Sequence, residues 1–278
     1  MNIPTAYSES KIESGSTLQL AFFGDIVGRA GRSLLCRQVA TLRQKYALDL
    51  VIANVENAAG GMGISLATAQ ELLHAGVNAM TLGDHAWQQR DAEAVLNNPE
   101  IPITRPANYP GNAPGRGWII ISSPQVGKIG VFNLLGRVFT GALVDCPFRT
   151  ADQLLSGPLS DCVVRICDFH AEATSEKAAM ARYLDGRVSL LVGTHTHVQT
   201  ADETILPAGS GFITDLGMSG STNGIIGMQT QTALDRFLTG RPATYKLAEG
   251  AAVLCGIWCS IDRLTGRTLE IRRLRVAA

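Results

Sequence analysis

The 278 residues, 46% of them hydrophobic, are enough to bury a sizeable core, and we expect one domain at 18–278 behind a flexible tail at 1–17. The 24 basic and 24 acidic residues cancel, which argues against general nucleic-acid binding and against attraction to anionic membranes. No apolar run approaches the roughly 18 residues that cross a bilayer, and the tail lacks the apolar centre of a secretion signal, so a cytoplasmic protein is predicted.

The first half of the chain alternates between predicted strands and helices. Strands are expected at Leu18–Phe23, Leu50–Val55 and Ala79–Leu82, and helices at Gly31–Tyr46 and Leu66–Ala75. This alternation is typical of a parallel sheet with crossover helices. The stretch from Pro99 to Pro124 is rich in Pro, Gly and Asn, which predicts a long surface loop.

The same rhythm resumes in the second half. The predicted elements are strands at Ile129–Leu135, Val163–Cys167, Val188–Val192 and Gly211–Thr214, a helix at Ser175–Leu184, and a hairpin of Ala251–Ile261 with Thr268–Val276. Together these elements predict a layered α/β sandwich with sheets covered by helices. The six cysteines show no CxxC spacing and are expected to be reduced thiols, mostly in the core.

Five polar clusters each follow a predicted strand within about four residues, close enough to lie at its carboxyl end. They are Asp25, Glu56-Asn57, Asp84-His85, His170 and the pair His195/His197. Because parallel strands end at a common edge, we expect all five clusters to meet at one edge of one sheet. Carboxylates, an amide oxygen and imidazoles are together typical ligands of a two-metal centre of the Zn, Fe or Mn type.

Each cluster taken alone has an ordinary alternative. Asp25 or Asn57 could cap a helix, and His85 could be a histidine without chemistry. The two histidines His195 and His197, at i and i+2, would point the same way in an extended loop. The occurrence of all five clusters together supports the prediction of a metal site, because unrelated helix caps and core histidines would not all follow successive strands.

Longer motifs extend these clusters into a pattern that covers residues 18 to about 276. They are Glu56-Asn57-Ala58-Ala59, Arg105-Pro106-Ala107-Asn108 and the stretches 170–177 and 193–202. This pattern resembles the calcineurin-like metallophosphoesterases and, within them, the YmdB-type family of bacterial 2′,3′-cyclic-nucleotide phosphodiesterases. The resemblance implies an α/β/β/α sandwich in which mixed sheets are flanked by helices.

The resemblance also implies a ligand set for two transition-metal ions, with iron expected and manganese or zinc as the alternatives. One ion would be held by Asp25, Glu56, Asn57 and His197, and the other by Glu56, Asp84, His170 and His195. Glu56 would bridge the two ions, and His85 matches the proton donor of the family.

One position departs from the family pattern, which has Gly-Asn-His where this chain has Gly83-Asp84-His85. The carboxylate of Asp84 can still coordinate a metal, but it adds a negative charge to the centre. We therefore expect a less Lewis-acidic metal pair and slower turnover.

These inferences lead to the hypothesis of a metal-dependent phosphodiesterase acting on a small-molecule phosphoester, expected to be a 2′,3′-cyclic nucleotide. A metal-bound hydroxide would attack phosphorus, and His85 would protonate the leaving ribose oxygen. Two alternatives stay open: a phosphomonoesterase or RNA-end phosphatase with the same site, and a metal-bearing regulatory protein of weak activity. A homo-oligomer is compatible with each of these three functions. Arg105, Asn108 and Tyr109 are candidates for substrate contact, or parts of a structural loop.

Overall fold

The computed structural model describes residues 17–124, 126–242, 244 and 246–278. One sheet contains β1 (Thr17–Phe23), β2 (Leu50–Asn54), β3 (Ala79–Thr81), β4 (Ile103–Thr104), β11 (Gly220–Ser221), β12 (Ala252–Asp262) and β13 (Thr268–Ala277). The other contains β5 (Trp118–Ser123), β6 (Gly127–Leu135), β7 (Val164–His170), β8 (Leu190–Thr194), β9 (Thr204–Ile205) and β10 (Gly211–Ile213). The helices are α1 (Gly28–Tyr46), α2 (Leu66–His74), α3 (Ala92–Asn97), α4 (Pro147–Ser156), α5 (Thr174–Leu184) and α6 (Thr230–Thr239).

Each sheet combines a group of parallel strands with antiparallel strands, which lie at one margin of the first sheet and at both margins of the second. The first is ordered β11-β12-β1-β2-β3-β4, with β13 also paired to β12, and the second is ordered β5-β6-β7-β8-β10-β9. Strands β1 to β4 run parallel, as do β6, β7, β8 and β10. Because Asn54 pairs with Thr81 and His170 pairs with Thr194, the carboxyl ends of neighbouring strands lie level with one another.

The two sheets face each other, and helices cover their outer faces. Leu20 and Phe22 of β1 point into an apolar core that both sheets share, whereas Phe23 packs in the core beneath α1 and α2. A third core lies between the second sheet and the helices α4 and α5. Full burial of each large apolar side chain in these cores contributes on the order of 2 kcal/mol. The order of layers, helices outside two facing sheets, confirms the predicted α/β/β/α sandwich.

The prediction of one long loop between Pro99 and Pro124 is wrong. This stretch contains β4, which pairs with β3, and β5, which pairs antiparallel with β6 at the margin of the second sheet. A two-residue strand such as β4 is too short to show a period, and the flanking Pro and Gly residues hide β5. The sequence prediction also omitted three helices, although Pro147 at the start of α4 is a recognised helix-start signal.

Two strands extend further toward their carboxyl ends than their apolar runs suggested. The prediction ended them at Cys167 and Val192, but β7 continues to His170 and β8 continues to Thr194. The extension is stable because the buried carboxylate of Asp168 accepts hydrogen bonds from Asn54 of β2 in the facing sheet and from Thr194 of the neighbouring strand β8. The last residues of these strands therefore belong to the functional edge.

Three further predictions concern the tail, the thiols and the membrane. Thr17, predicted to end the tail, is the first residue of β1, and residues 1–16 lie outside the described residues. All six cysteines are free, and four of them are buried. Among the described residues, no helix combines the length and the apolar character needed to cross a membrane.

Candidate metal centre

The five predicted polar clusters converge, but they come from two sheets and not from one. Asp25 follows β1, Glu56 follows β2 and Asp84 follows β3, all in the first sheet. His170 ends β7 and His195 follows β8, both in the second sheet. The expectation of a single sheet edge is therefore wrong. The two sheets face each other, and the carboxyl ends of their parallel strands meet at a common edge of the sandwich.

Four of the predicted ligands form a compact group. Glu56, Asp84, His170 and His195 each offer one ligand atom, and these four atoms lie within 4.8 Å of one another. Nε2 of His170 lies 3.2 Å from Glu56 Oε1 and 3.3 Å from Asp84 Oδ1. Nδ1 of His195 lies 2.9 Å from the same Nε2 atom. These four residues are the set that the family resemblance implies for one of the two ions.

A glycine makes this close approach feasible. A Cβ atom at Gly83 would collide with the carboxylate of Glu56 and with the imidazole of His170. Only a residue without a side chain leaves room for both groups at this point of the backbone. The Gly83-Asp84-His85 corner therefore brings Asp84 into the group without displacing the other ligands.

The remaining three predicted ligands lie beside this group. Oδ1 of Asn57 lies 3.3 Å from Nε2 of His197. Asp25 is fully buried, and its Oδ2 atom accepts a hydrogen bond of 3.2 Å from the backbone N–H of His195. Burial raises the pKa of Asp25, and the charge of nearby His197 offsets part of that rise. Asp25 thus connects the two halves of the predicted ligand set.

His85 borders the group and is half-buried. Its Nδ1 atom lies 3.1 Å from Asn57 Nδ2 and 3.3 Å from Glu56 Oε1, and its backbone N–H donates to Glu56 Oε2 at 3.2 Å. The hydrogen bond to Glu56 raises the pKa of His85, although burial opposes that rise. No described residue forms a hydrogen bond with Nε2, so this ring atom can face a substrate.

The electrostatics of the group favour a positive charge at its centre. Burial opposes ionisation of Glu56, yet the charge and hydrogen bonds of His170 and His85 hold the pKa of this carboxyl well below its usual value. Burial also disfavours a charged His170, but Glu56 and Asp84 raise the pKa of that imidazole well above its usual value. A bound cation would satisfy the carboxylates and leave the imidazoles neutral, as metal ligation requires.

Two of the histidines are oriented by residues behind them. Nδ1 of His170 lies 2.8 Å from Thr194 Oγ1, and that hydroxyl donates to Asp168 at 2.7 Å. Nε2 of His195 lies 3.1 Å from Glu172. Such contacts fix the ring orientation and leave Nε2 of His170 and Nδ1 of His195 facing the centre. These supporting roles of Asp168, Thr194 and Glu172 were not predicted, although Glu172 lies within the motif 170–177 and Thr194 within the motif 193–202.

The backbone that carries His195 and His197 is not extended, so the condition under which both rings would point the same way is not met. Both residues have positive φ angles, 102° and 65°. The ring of His195 contacts His170, whereas the ring of His197 contacts Asn57. Nδ1 of His197 lies 3.0 Å from the carbonyl oxygen of Ile226, which itself has a φ of 45°. A β-branched residue rarely adopts this conformation. Backbone strain is therefore concentrated around the metal centre.

Among the loop candidates, Arg105 and Asn108 are structural. The guanidinium of Arg105 is buried and donates to the carbonyl oxygens of residues 106, 113 and 114. Asn108 is buried and exchanges hydrogen bonds of 2.8 and 2.9 Å with the backbone of Leu135. Tyr109 differs, because its ring contacts Trp87 edge to face, with the ring centroids 5.4 Å apart. Trp87 is the second residue after His85, so the aromatic pair adjoins the site.

The residues present fit a metal centre. The donor set of carboxylates, imidazoles and an amide oxygen suits a transition metal. In addition, Oδ1 of Asp25 is buried and has no hydrogen-bond partner among the described residues. A buried carboxylate oxygen without a partner is costly unless a cation compensates it. The site therefore has suitable donor atoms and a buried carboxylate oxygen that a cation would stabilise.

Comparisons with known proteins identify the family of this chain and its relatives. The chain matches a family described as YmdB-like protein over residues 21–274. A 2′,3′-cyclic-nucleotide 2′-phosphodiesterase from Bacillus subtilis is 41% identical over 260 residues, which span 93% of this chain and 97% of that relative.

Two crystal structures share the fold. One, a novel phosphatase from Mycoplasma pneumoniae, is 35% identical with a TM-score of 0.88, and the match covers 94% of each chain. The other, a hypothetical protein from Thermus thermophilus, is 38% identical with a TM-score of 0.87, and the match covers 94% of this chain and 99% of that one.

Proposed function

The chain belongs to the YmdB-like protein family, as its motifs predicted, and we propose that it is a metal-dependent phosphodiesterase of 2′,3′-cyclic nucleotides. The observation that carries this proposal is the group of four ligand atoms within 4.8 Å, formed by Glu56, Asp84, His170 and His195. It supports the activity for which the Bacillus subtilis relative is named, because phosphoester hydrolysis of this type depends on clustered metal ions.

The proposed ligand sets follow the two halves of the site. Glu56, Asp84, His170 and His195 would hold one ion, and Asp25, Asn57 and His197 would share Glu56 to hold the other. Iron is the expected metal, with manganese or zinc as alternatives, because imidazole with carboxylate suits all three. When bound, such a metal pair supplies an activated water and neutralises charge on the phosphoryl group.

We assign His85 the role of proton donor to the leaving ribose oxygen. Nδ1 of His85 faces Asn57 and Glu56, which leaves Nε2 as the atom that can transfer the proton. Hydrolysis adds water to phosphorus and breaks one of the two ring P–O bonds of the cyclic phosphate. The departing oxygen would take its proton from His85, so that no alkoxide has to leave.

We propose that the nucleobase rests on the aromatic pair Trp87 and Tyr109. Trp87 is partly exposed, and its ring contacts Tyr109 beside the proton donor. Burial raises the pKa of Tyr109, and the charge of Asp84 adds to that rise, which indicates that the phenol lies near the ligand group. Base–aromatic stacking would position the ribose phosphate without demanding a particular base.

A substrate panel tests this function. Protein loaded with iron or manganese is offered 2′,3′-cyclic AMP, 3′,5′-cyclic AMP and p-nitrophenyl phosphate esters, and product formation is measured. Preferential turnover of 2′,3′-cyclic AMP supports the proposal. Preferential turnover of the monoester would favour a phosphomonoesterase, and no turnover by metal-loaded protein would favour a regulatory role.

A further inference from the structure

A buried ion pair lies directly behind the loop that carries His195 and His197. Nζ of Lys177 on α5 donates to Oδ2 of Asp215 at 2.7 Å, and both side chains are almost completely buried, with exposures of 1% and 0%. Full burial keeps both charged groups away from solvent and substrate. The pair therefore cannot bind the phosphate directly, and its contacts must explain why the charges are buried.

The contacts of Asp215 lead to the histidine loop. Its Oδ2 atom also accepts hydrogen bonds from the backbone N–H of Thr196 at 3.1 Å and from the hydroxyl of Thr196 at 2.7 Å. Its Oδ1 atom accepts from the backbone N–H of Gly217 at 2.8 Å. Thr196 is the residue between the two histidines, so Asp215 holds the centre of the loop.

The contacts of Lys177 lead to the strand that precedes the loop. A Cβ atom at Gly193 would lie 2.9 Å from Cδ of Lys177 and would collide with the carbonyl oxygen of Thr214. The lysine chain thus lies against the backbone of β8 two residues before His195, and Gly193 is needed for that close approach. The pair therefore holds the loop from two sides.

Such support is needed because the loop is strained. His195 and His197 both have positive φ angles, which cost energy for residues other than glycine. A strained conformation persists only when the surrounding contacts over-determine it. The hydrogen bonds from Thr196 to Asp215 are the contacts placed between the two strained residues.

We infer that Lys177 and Asp215 are positioning residues that hold Thr196, and through it direct His195 toward one metal site and His197 toward the other. This inference rests on the proposed metal centre and extends it to residues that touch neither metal nor substrate. The buried pair would thus slow the release of metal, in addition to any contribution to the stability of the fold.

The test measures metal retention rather than activity alone. Wild-type protein, Asp215→Asn and Thr196→Val are loaded with manganese(II), and the rate of metal loss to a chelator is followed by elemental analysis. Thr196→Val keeps the shape of the side chain, removes one hydrogen bond and leaves the ion pair intact. We expect Asp215→Asn to lose manganese about 10- to 100-fold faster, with a smaller increase for Thr196→Val. Both variants should also turn over substrate more slowly at limiting manganese, and excess manganese should restore most of that turnover.

The matched control is Leu159→Ala. Leu159 is fully buried beside Gly130, near the amino-terminal ends of β6 and β7 and away from the histidines. This variant should lower the melting temperature yet release manganese at the wild-type rate.

Release from Asp215→Asn at the wild-type rate, or equally fast release from Leu159→Ala, would overturn the inference. If Asp215→Asn does not fold, Thr196→Val decides, and an unchanged release rate overturns it. A wild-type protein that takes up no manganese, iron or zinc would overturn the proposed function itself, which separates the two failures.

Discussion

The core between the two sheets and the candidate metal centre at their carboxyl edge both contain fully buried residues, but these residues are of opposite chemistry. Leu20 and Ile52 of the inter-sheet core are fully buried and apolar. Asp25, Glu56 and His170 are also buried, yet each can carry a charge. Burial of the first group stabilises the fold, whereas burial of the second costs several kcal/mol per unpaired ion.

The difference indicates what each region is for. The polar edge carries the strained backbone of His195, His197 and Ile226. It also carries Oδ1 of Asp25, which forms no hydrogen bond with any described residue. These are unfavourable features that a bound cation would compensate. We therefore expect substitutions in the core to change stability with little effect on metal binding, and substitutions at the edge to do the reverse.

The largest expected effect comes from removal of a ligand. His195→Ala should lower turnover to the background rate, because loss of a ligand removes the metal chemistry. Loss of a proton donor alone would cost about 10²- to 10⁴-fold. The fold should persist, since His195 is half-buried and leaves no sealed cavity. Metal content by elemental analysis and melting by circular dichroism measure the two effects.

Leu20→Ala is the matched core substitution. It should lower the free energy of unfolding by about 2–5 kcal/mol and leave the metal content unchanged. Either of two results would contradict the contrast between the two regions: loss of metal from folded Leu20→Ala, or retention of both metal ions by His195→Ala.

A smaller loss is expected from the proton donor. His85→Ala should keep both metal ions and lower kcat by about 10²- to 10⁴-fold, because only proton transfer to the leaving oxygen is removed. Substrates with a good leaving group, such as p-nitrophenyl esters, should be affected much less. An equal loss on both substrate types would remove His85 from this role.

The aromatic pair should affect substrate binding more than the chemical step. Tyr109→Ala should weaken binding by about 1–3 kcal/mol, the value of one base–aromatic stack, and should appear mainly as a higher KM. Tyr109→Phe is the control and should behave like the wild type. A KM for 2′,3′-cyclic AMP that Tyr109→Ala leaves unchanged would exclude stacking on this ring.

The smallest effect is expected at the position that departs from the family pattern. Asp84→Asn removes one negative charge beside His170, whose Nε2 atom lies 3.3 Å from Asp84. A bound metal pair would become more Lewis acidic, so kcat should rise by a few-fold. Steady-state kinetics at saturating metal decide, and an unchanged or slower variant contradicts the prediction.

Much of the fold and most of the site were predictable because their signals are local. Apolar runs located all the parallel strands except β4, and polar residues directly after those runs located the ligands. The order of strands along the chain does not determine whether successive strands share a sheet, and the prediction of a single sheet edge was wrong for this reason. Short elements such as β4 contain too few residues to show a period.

The support of the site was not predictable for a physical reason. Lys177 and Asp215 are 38 residues apart, and Thr196 is 19 residues from Asp215. The carbonyl oxygen of Ile226 that faces His197 is a backbone atom, so no residue type marks it. Positive φ angles at His195 and His197 likewise follow from tertiary contacts, because local preference disfavours them for residues other than glycine.

Elemental analysis of the purified protein tests the central claim most directly, namely that ligands from two facing sheets hold a pair of transition-metal ions. The account predicts two such ions per chain, and one or none for the His195→Ala variant. A well-folded wild-type protein that retains no transition metal after incubation with iron, manganese or zinc would contradict it.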